Sequence, residues 1–181
     1  MEIQETDLPG LLLLEPKVHR DSRGFFLETA RRSWLEEAGI GPDLVQDNHS
    51  RSGKGTLRGL HFQTGPGQGK LVRCARGSVW DVAVDLRRSS ATFGQWRGFT
   101  LDDEHHRQLW IPVGFAHGFC VTSDVADVVY RCSGYYDSAA ERGIAWNSPE
   151  LDIRWPVESP LLSDRDLRLP TLSAYEGPWF D

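Results

Sequence analysis

The sequence predicts an all-β fold, either a sandwich or a barrel. Three observations lead there. Short runs of strand-forming residues recur with turn residues between them. A single segment carries the signals of a helix. The composition is turn-rich, with 18 Gly, 10 Pro and seven Trp in 181 residues, which suits packed sheets better than a helical bundle.

The elements follow in order. Residues 11–14 are four leucines, and with Glu15-Pro16 behind them they read as a strand closed by proline. Asp21-Ser22-Arg23-Gly24 is a turn, and Phe25-Phe26-Leu27-Glu28 is a short strand. Ser33-Trp34-Leu35-Glu36 has capping-box spacing, so Ser33 is expected to open a short helix that stops at Gly39. Residues 43–50 read as a strand with Gln46 and Asn48 on one face. Residues 55–63 form another, followed by the loop Gly65-Pro66-Gly67-Gln68-Gly69. Segments 70–75 and 78–86 are strands whose junction at Arg76-Gly77 predicts a hairpin. Segments 96–101, 108–111, 118–122 and 126–132 continue the pattern. From Pro149 the chain is proline-rich and irregular, a tail that wraps the body or meets a partner subunit. No repeat or linker divides the chain, so residues 1–181 read as one domain.

The net charge of −6 argues against a nucleic-acid partner. It leaves room for an anionic small ligand, because a few local Arg and Lys residues make a positive pocket in an acidic protein. Cys74, Cys120 and Cys132 lie in apolar strand-like runs and read as buried free thiols of a reducing compartment. The leucines at 11–14 are too few for a signal sequence or a membrane span, so the expected location is the cytoplasm.

The most informative stretch is Gly55-Thr56-Leu57-Arg58-Gly59-Leu60-His61-Phe62-Gln63, with Lys70 just beyond it. Strict alternation puts Leu57, Gly59, His61 and Gln63 on one face and Arg58, Leu60 and Phe62 on the other. A bulge at Gly59 would bring Arg58 round to the His61 side. Cations beside a histidine suit an anionic ligand next to a proton-transfer centre.

Pro112, Gly114 and His117 have the Pro-x-Gly-x-x-His spacing that resembles the second cupin motif, in which the histidine binds metal. Here His61 is followed by Phe62 and Gln63, so the paired histidine of the first motif is missing. Two histidines without a matching carboxylate hold iron or zinc poorly, and no metal is expected. Tyr130 lies in a strand, where most tyrosines pack. It matters chemically if it faces the His61 cavity. Ser163-Asp164-Arg165-Asp166 in the tail reads as a turn or cap. Alternatively, a carboxylate there folds back onto His61 and fixes its tautomer.

Taken together, four pieces resemble the dTDP-4-dehydrorhamnose 3,5-epimerase family over nearly the whole chain. They are Leu57-Arg58-Gly59-Leu60-His61-Phe62-Gln63, Gly69-Lys70-Leu71-Val72-Arg73, the run from Gly77-Ser78-Val79 to Val84-Asp85, and Gly114-Phe115-Ala116-His117-Gly118-Phe119. The resemblance implies a jelly-roll cupin sandwich, a homodimer with strand exchange and no cofactor. It implies that His61 is the catalytic base, Asp166 its paired carboxylate, Tyr130 the acid across the sugar and Lys70 the partner of the keto oxygen. It further implies that Arg23, Glu28, Gln46, Asn48, Arg58, His117, Glu141 and Arg165 hold a dTDP-sugar. Phe26 and Tyr136 are both candidates to stack on its base. The implied reaction is epimerisation of dTDP-4-keto-6-deoxy-D-glucose at C3 and C5. Other readings stand beside it: an antibiotic-sugar relative that acts at C3 alone or as a ketoisomerase, a metal-dependent cupin oxygenase, and a non-catalytic sugar-binding cupin.

Overall fold

The computed structural model describes residues 1–41 and 43–181. Strands are numbered in chain order. One antiparallel sheet runs β1 (Glu2–Glu5), β2 (Leu12–Glu15), β10 (Gln108–Ile111), β7 (Lys70–Arg76), β12 (Val125–Cys132), β5 (Gln46–Gly53). The other runs β13 (Glu141–Gly143), β6 (Leu57–Gln63), β11 (Phe115–Val121), β8 (Ser78–Asp85), β9 (Trp96–Asp102). β3 (His19–Asp21) and β4 (Gly24–Phe26) pair with each other as a separate ribbon. This is the jelly-roll sandwich that the family pieces imply.

The period-2 pattern decides what lies between the sheets. Val72 and Cys74 on β7, Ala126 and Val128 on β12, Val79 and Ala83 on β8, and Phe119 and Val121 on β11 share one buried cluster. The same strands turn Lys70, Tyr130, Asp81 and His117 to that interior, because these residues keep the parity of their apolar neighbours. One part of the interior is therefore an oily core, and another is a polar cavity. The outer face of the β6–β11–β8 sheet is covered by the tail, where Leu60, Phe62, Val82 and Val84 meet Leu151, Trp155, Leu172, Tyr175 and Phe180. The proline-rich tail is thus a wrapping segment. On the opposite outer face Leu12, Leu14, Leu71 and Trp110 bury Leu35 of α1 (Arg32–Glu37) and Ile40 beyond it.

Two local expectations are corrected. Helix α1 starts at Arg32 with Arg31 at its N-cap, and no side chain caps it. Ser33 therefore lies inside the helix, where tertiary burial of Leu35 outweighs the capping signal. The Arg76-Gly77 junction is also not a hairpin. β7 pairs with β10 and β12, and β8 pairs with β9 and β11, so the turn is a corner where the chain changes sheets. Gly77 has φ +77° there, and a Cβ on it would meet the Val125 carbonyl oxygen at 2.1 Å. Sequence signals for a tight turn do not distinguish a corner from a hairpin.

Cys74, Cys120 and Cys132 are buried free thiols, and burial pushes the Cys74 thiol up to about 12. Among the described residues no helix is long and apolar enough to cross a membrane.

The Gly77 corner generates a prediction. Gly77→Ala is expected to lower stability by about 1–3 kcal/mol, from backbone strain and overpacking. Urea unfolding followed by tryptophan fluorescence measures it, and an unchanged midpoint would show that the corner has room for a methyl group.

Candidate active site

A cavity of about 410 Å³ opens between the sheets, lined by Arg58, His61, Lys70, His117, Tyr130 and Asp166 among others. A second chamber of about 230 Å³ adjoins it and shares His61, Lys70 and Tyr130. Most of the sequence-predicted residues thus converge on one place.

The β6–β11 register explains how Arg58 and His61 face the same way. His61 pairs with His117 and Arg58 pairs with Phe119, so Gly118 alone stands opposite both Gly59 and Leu60. The extra residue is a bulge, and it resets the alternation between Arg58 and His61. Leu60 and Phe62 remain on the outer side, packed under the tail. Arg58 is steadied by Ser52 on β5, whose Oγ accepts from its Nε at 3.1 Å.

Asp166 reaches His61 across 105 positions of sequence because the tail returns beside β6. The amide of Leu57 donates to the Leu161 carbonyl at 3.0 Å, and that of Leu161 donates to Gly55 at 2.9 Å. Asp166 then opens a short 3-10 turn, and its amide donates to Ser163 Oγ. Its Oδ1 lies 2.6 Å from His61 Nε2. Burial works to raise the Asp166 carboxyl. The His61 hydrogen bond and charge, with help from Ser163 and the Gly59 backbone, outweigh it and hold the group below its ordinary range. An ionised carboxylate only accepts, so Nε2 of His61 carries the hydrogen and Nδ1 is left as the basic nitrogen.

Tyr130 lies on the sheet facing His61. Burial is the main cause that raises its phenol above the usual value, with Cys132 and Glu141 adding and Arg58 opposing. Lys70 begins β7, and loss of hydration pulls its ammonium below the usual lysine range against the nearby negative fields of Glu141 and Asp81. His117 is nearly buried and sits 2.9 Å from fully buried Asp81. The histidine at the cupin-like position thus has a carboxylate as its partner.

Around the second chamber the polar residues form a chain. Gln46 Nε2 donates to Asn48 Oδ1 at 3.0 Å, and Gln46 Oε1 accepts from the Tyr136 amide at 2.9 Å. Glu141 accepts from Tyr136 Oη and from Arg165 Nη1, each at 2.5 Å. Burial would raise Glu141, but Arg165 and Tyr136 hold it below the ordinary range.

Three predicted residues, Arg23, Glu28 and Phe26, do not join this group within the chain. Arg23 sits at the tip of the β3–β4 ribbon, paired with Asp21 and largely exposed. Glu28 pairs with Arg31. Neither lines either chamber. The ribbon belongs to neither sheet and carries Phe25 and Phe26, 53% and 68% exposed.

Three residues of the site carry no reading from the sequence: Ser50, which lines the cavity, Ser52, which holds Arg58, and Asp81, which holds His117. Ser50 and Ser52 carry the same parity as Gln46 and Asn48 on β5, and that alternation was the available signal. Asp81 interrupts the apolar run Val79-Trp80-Asp81-Val82, and a charge inside a buried strand demands a partner. Among the described residues no group of three or more His, Cys, Asp or Glu is arranged to hold a metal ion.

Comparison with known proteins gives the family. The family model described as dTDP-4-dehydrorhamnose 3,5-epimerase matches residues 5–174. The dTDP-4-dehydrorhamnose 3,5-epimerase of Shigella flexneri is 55% identical over 169 residues, covering 92% of this chain and 93% of its own. The crystal structure of dTDP-6-deoxy-D-glucose-3,5-epimerase from Legionella pneumophila in complex with dTDP-4-keto-L-rhamnose superposes with TM-score 0.92 at 48% identity, covering 95% of this chain and 93% of that one. A 3'-monoepimerase from Streptomyces bikiniensis in complex with dTDP-quinovose reaches TM-score 0.88 at 37% identity, covering 93% and 87%. The family match takes in every strand after β1, including the β3–β4 ribbon, and most of the tail. On that extent of agreement, the chain belongs to the dTDP-4-dehydrorhamnose 3,5-epimerase family.

Proposed function

We propose that this chain epimerises dTDP-4-keto-6-deoxy-D-glucose at C3 and C5, giving dTDP-4-keto-L-rhamnose in deoxysugar biosynthesis. The observation that carries the reading is an aspartate-braced imidazole and a phenol on opposite sheets of one cavity. Epimerisation next to a ketone needs a base on one face of the sugar and a proton donor on the other.

The C3 and C5 hydrogens are both adjacent to the C4 ketone. His61 Nδ1 takes one of them, and the C–H electron pair moves through the carbon framework onto O4. Asp166 balances the imidazolium that forms. The Lys70 ammonium stabilises the O4 oxyanion, an effect worth roughly 3–4 kcal/mol for one well-placed donor. Tyr130 then delivers its proton to the opposite face of the same carbon. Its raised phenol keeps that proton until the enolate exists, and Arg58 favours the phenolate left behind. His61 ends with one proton more and Tyr130 with one fewer, and exchange with water resets both. No electrons leave the substrate, so the reaction needs no external oxidant or reductant.

Arg58 and Arg165 meet the diphosphate as charge-assisted forks. Gln46, Asn48, His117, Glu141 and Tyr136 hold the rest of the nucleotide sugar. Arg23 and Glu28 reach it from a second copy of the chain, in a homodimer whose β3–β4 ribbons cross. The exposed Phe25 and Phe26 on that ribbon support this arrangement. The buried free thiols suit a reducing, cytoplasmic setting.

Three results are expected. His61→Ala abolishes solvent-deuterium wash-in at C3 and C5, by NMR of the product, while the fold persists; substantial exchange would remove His61 as the base. Tyr130→Phe keeps more wash-in than net inversion, and equal loss of both would count against a pure donor role. Light scattering on a sizing column gives twice the mass of one chain, and a monomer that turns over substrate would exclude a shared site. With a coupled reductase, product inverted at C3 alone would move the chain to the monoepimerases.

A further inference from the structure

His117 and Asp81 form a second imidazole–carboxylate pair beside the first. His117 is the register partner of His61 on the neighbouring strand, so the two rings rise from adjacent positions into one cavity. His117 Nε2 lies 2.9 and 3.0 Å from the two oxygens of Asp81. Asp81 is 0% exposed and His117 is 7% exposed. A buried carboxylate needs a donor, and among the described residues the His117 ring is the side-chain partner that Asp81 has. A carboxylate only accepts, so the hydrogen must sit on Nε2. His117 Nδ1 has no hydrogen-bond partner among the described residues and is the nitrogen left for a ligand.

We propose that Asp81 is a positioning residue of the epimerase, acting through His117. It locks the ring as the Nε2–H form in one orientation, which presents Nδ1 to an oxygen of the nucleotide sugar. When that oxygen is anionic, Nδ1 takes up a proton from solvent and donates it to the oxygen in a hydrogen bond, and the ring becomes a cation. Asp81 balances that charge in a cavity already holding Arg58 and Lys70. Without it, a third uncompensated cation would repel both. The asparagine amide lacks the charge and can face Nε2 with either its oxygen or its nitrogen, so Asp81→Asn frees the ring to adopt either tautomer. The identity of the ligand rests on the epimerase reading; the state of the ring does not.

Histidine-selective 15N NMR of the wild-type protein tests the ring directly, with the His117 signals identified by their loss in His117→Asn. Nε2 is expected to carry the hydrogen, and the Nδ1 resonance is expected to shift when dTDP is added. A hydrogen on Nδ1 with bare Nε2, or an Nδ1 indifferent to dTDP, overturns the proposal without any need for an Asp81 variant to fold. Calorimetry with dTDP supplies the second arm. Asp81→Asn should weaken binding about tenfold, as loss of a charge-assisted hydrogen bond does. It should raise KM more than it lowers kcat, and add less than twofold in the His117→Asn background. Equal weakening in both backgrounds would show that Asp81 supports the fold and not the ring. Epimerisation with the wrong tautomer would sink this assignment alone, and the right tautomer without epimerisation would sink the functional reading alone.

Discussion

The site depends on how closely β6 and β11 approach at Gly59 and Gly118. A Cβ on Gly59 would lie 2.4 Å from the Gly118 Cα, and one on Gly118 would lie 2.9 Å from the Arg58 carbonyl oxygen. Neither position admits a side chain. The contact lets one strand carry an extra residue while both stay hydrogen-bonded. Arg58 and His61 then share a face, and His117 stands beside His61. Two glycines without side chains thus decide where the charged ones go.

The second constraint is electrostatic. The cavity gathers Arg58, Lys70, His117 and Arg165 with Asp81, Asp166 and Glu141 around them. In a low-dielectric interior each carboxylate must be paired or hydrogen-bonded. Asp166 and Asp81 each hold an imidazole, and Glu141 holds Arg165 and Tyr136. Among the described residues Lys70 makes no ion pair. Its ammonium is therefore left for a ligand oxygen, which suits a role at a developing oxyanion.

Much of this was legible in the chain. Alternation placed Gln46 and Asn48 on one face, and the glycine at 59 marked the bulge that turns Arg58 inward. The long motifs around His61, Lys70 and His117 pointed to the family. What remained hidden was tertiary. Arg76-Gly77 carries the signals of a tight turn whether the next strand pairs with the last one or joins the other sheet. Ser33 has the spacing of a cap, yet burial of Leu35 starts the helix earlier. Asp81 is one charge in an apolar strand, and only the folded β8–β11 pair, in which it lies diagonal to His117, gives it a partner. Arg23 and Glu28 carry no local signal that the ribbon and the chain after it lie apart from the cavity.

The tail has a double duty with a practical meaning. It seals the outer face with Trp155, Tyr175 and Phe180, and it also delivers Asp166 to His61 through the Leu161 contacts with Gly55 and Leu57. The His61–Asp166 pair is thus split between the sandwich and a strap laid over it. Docking of the strap is therefore a condition both for the braced imidazole and for the covered outer face.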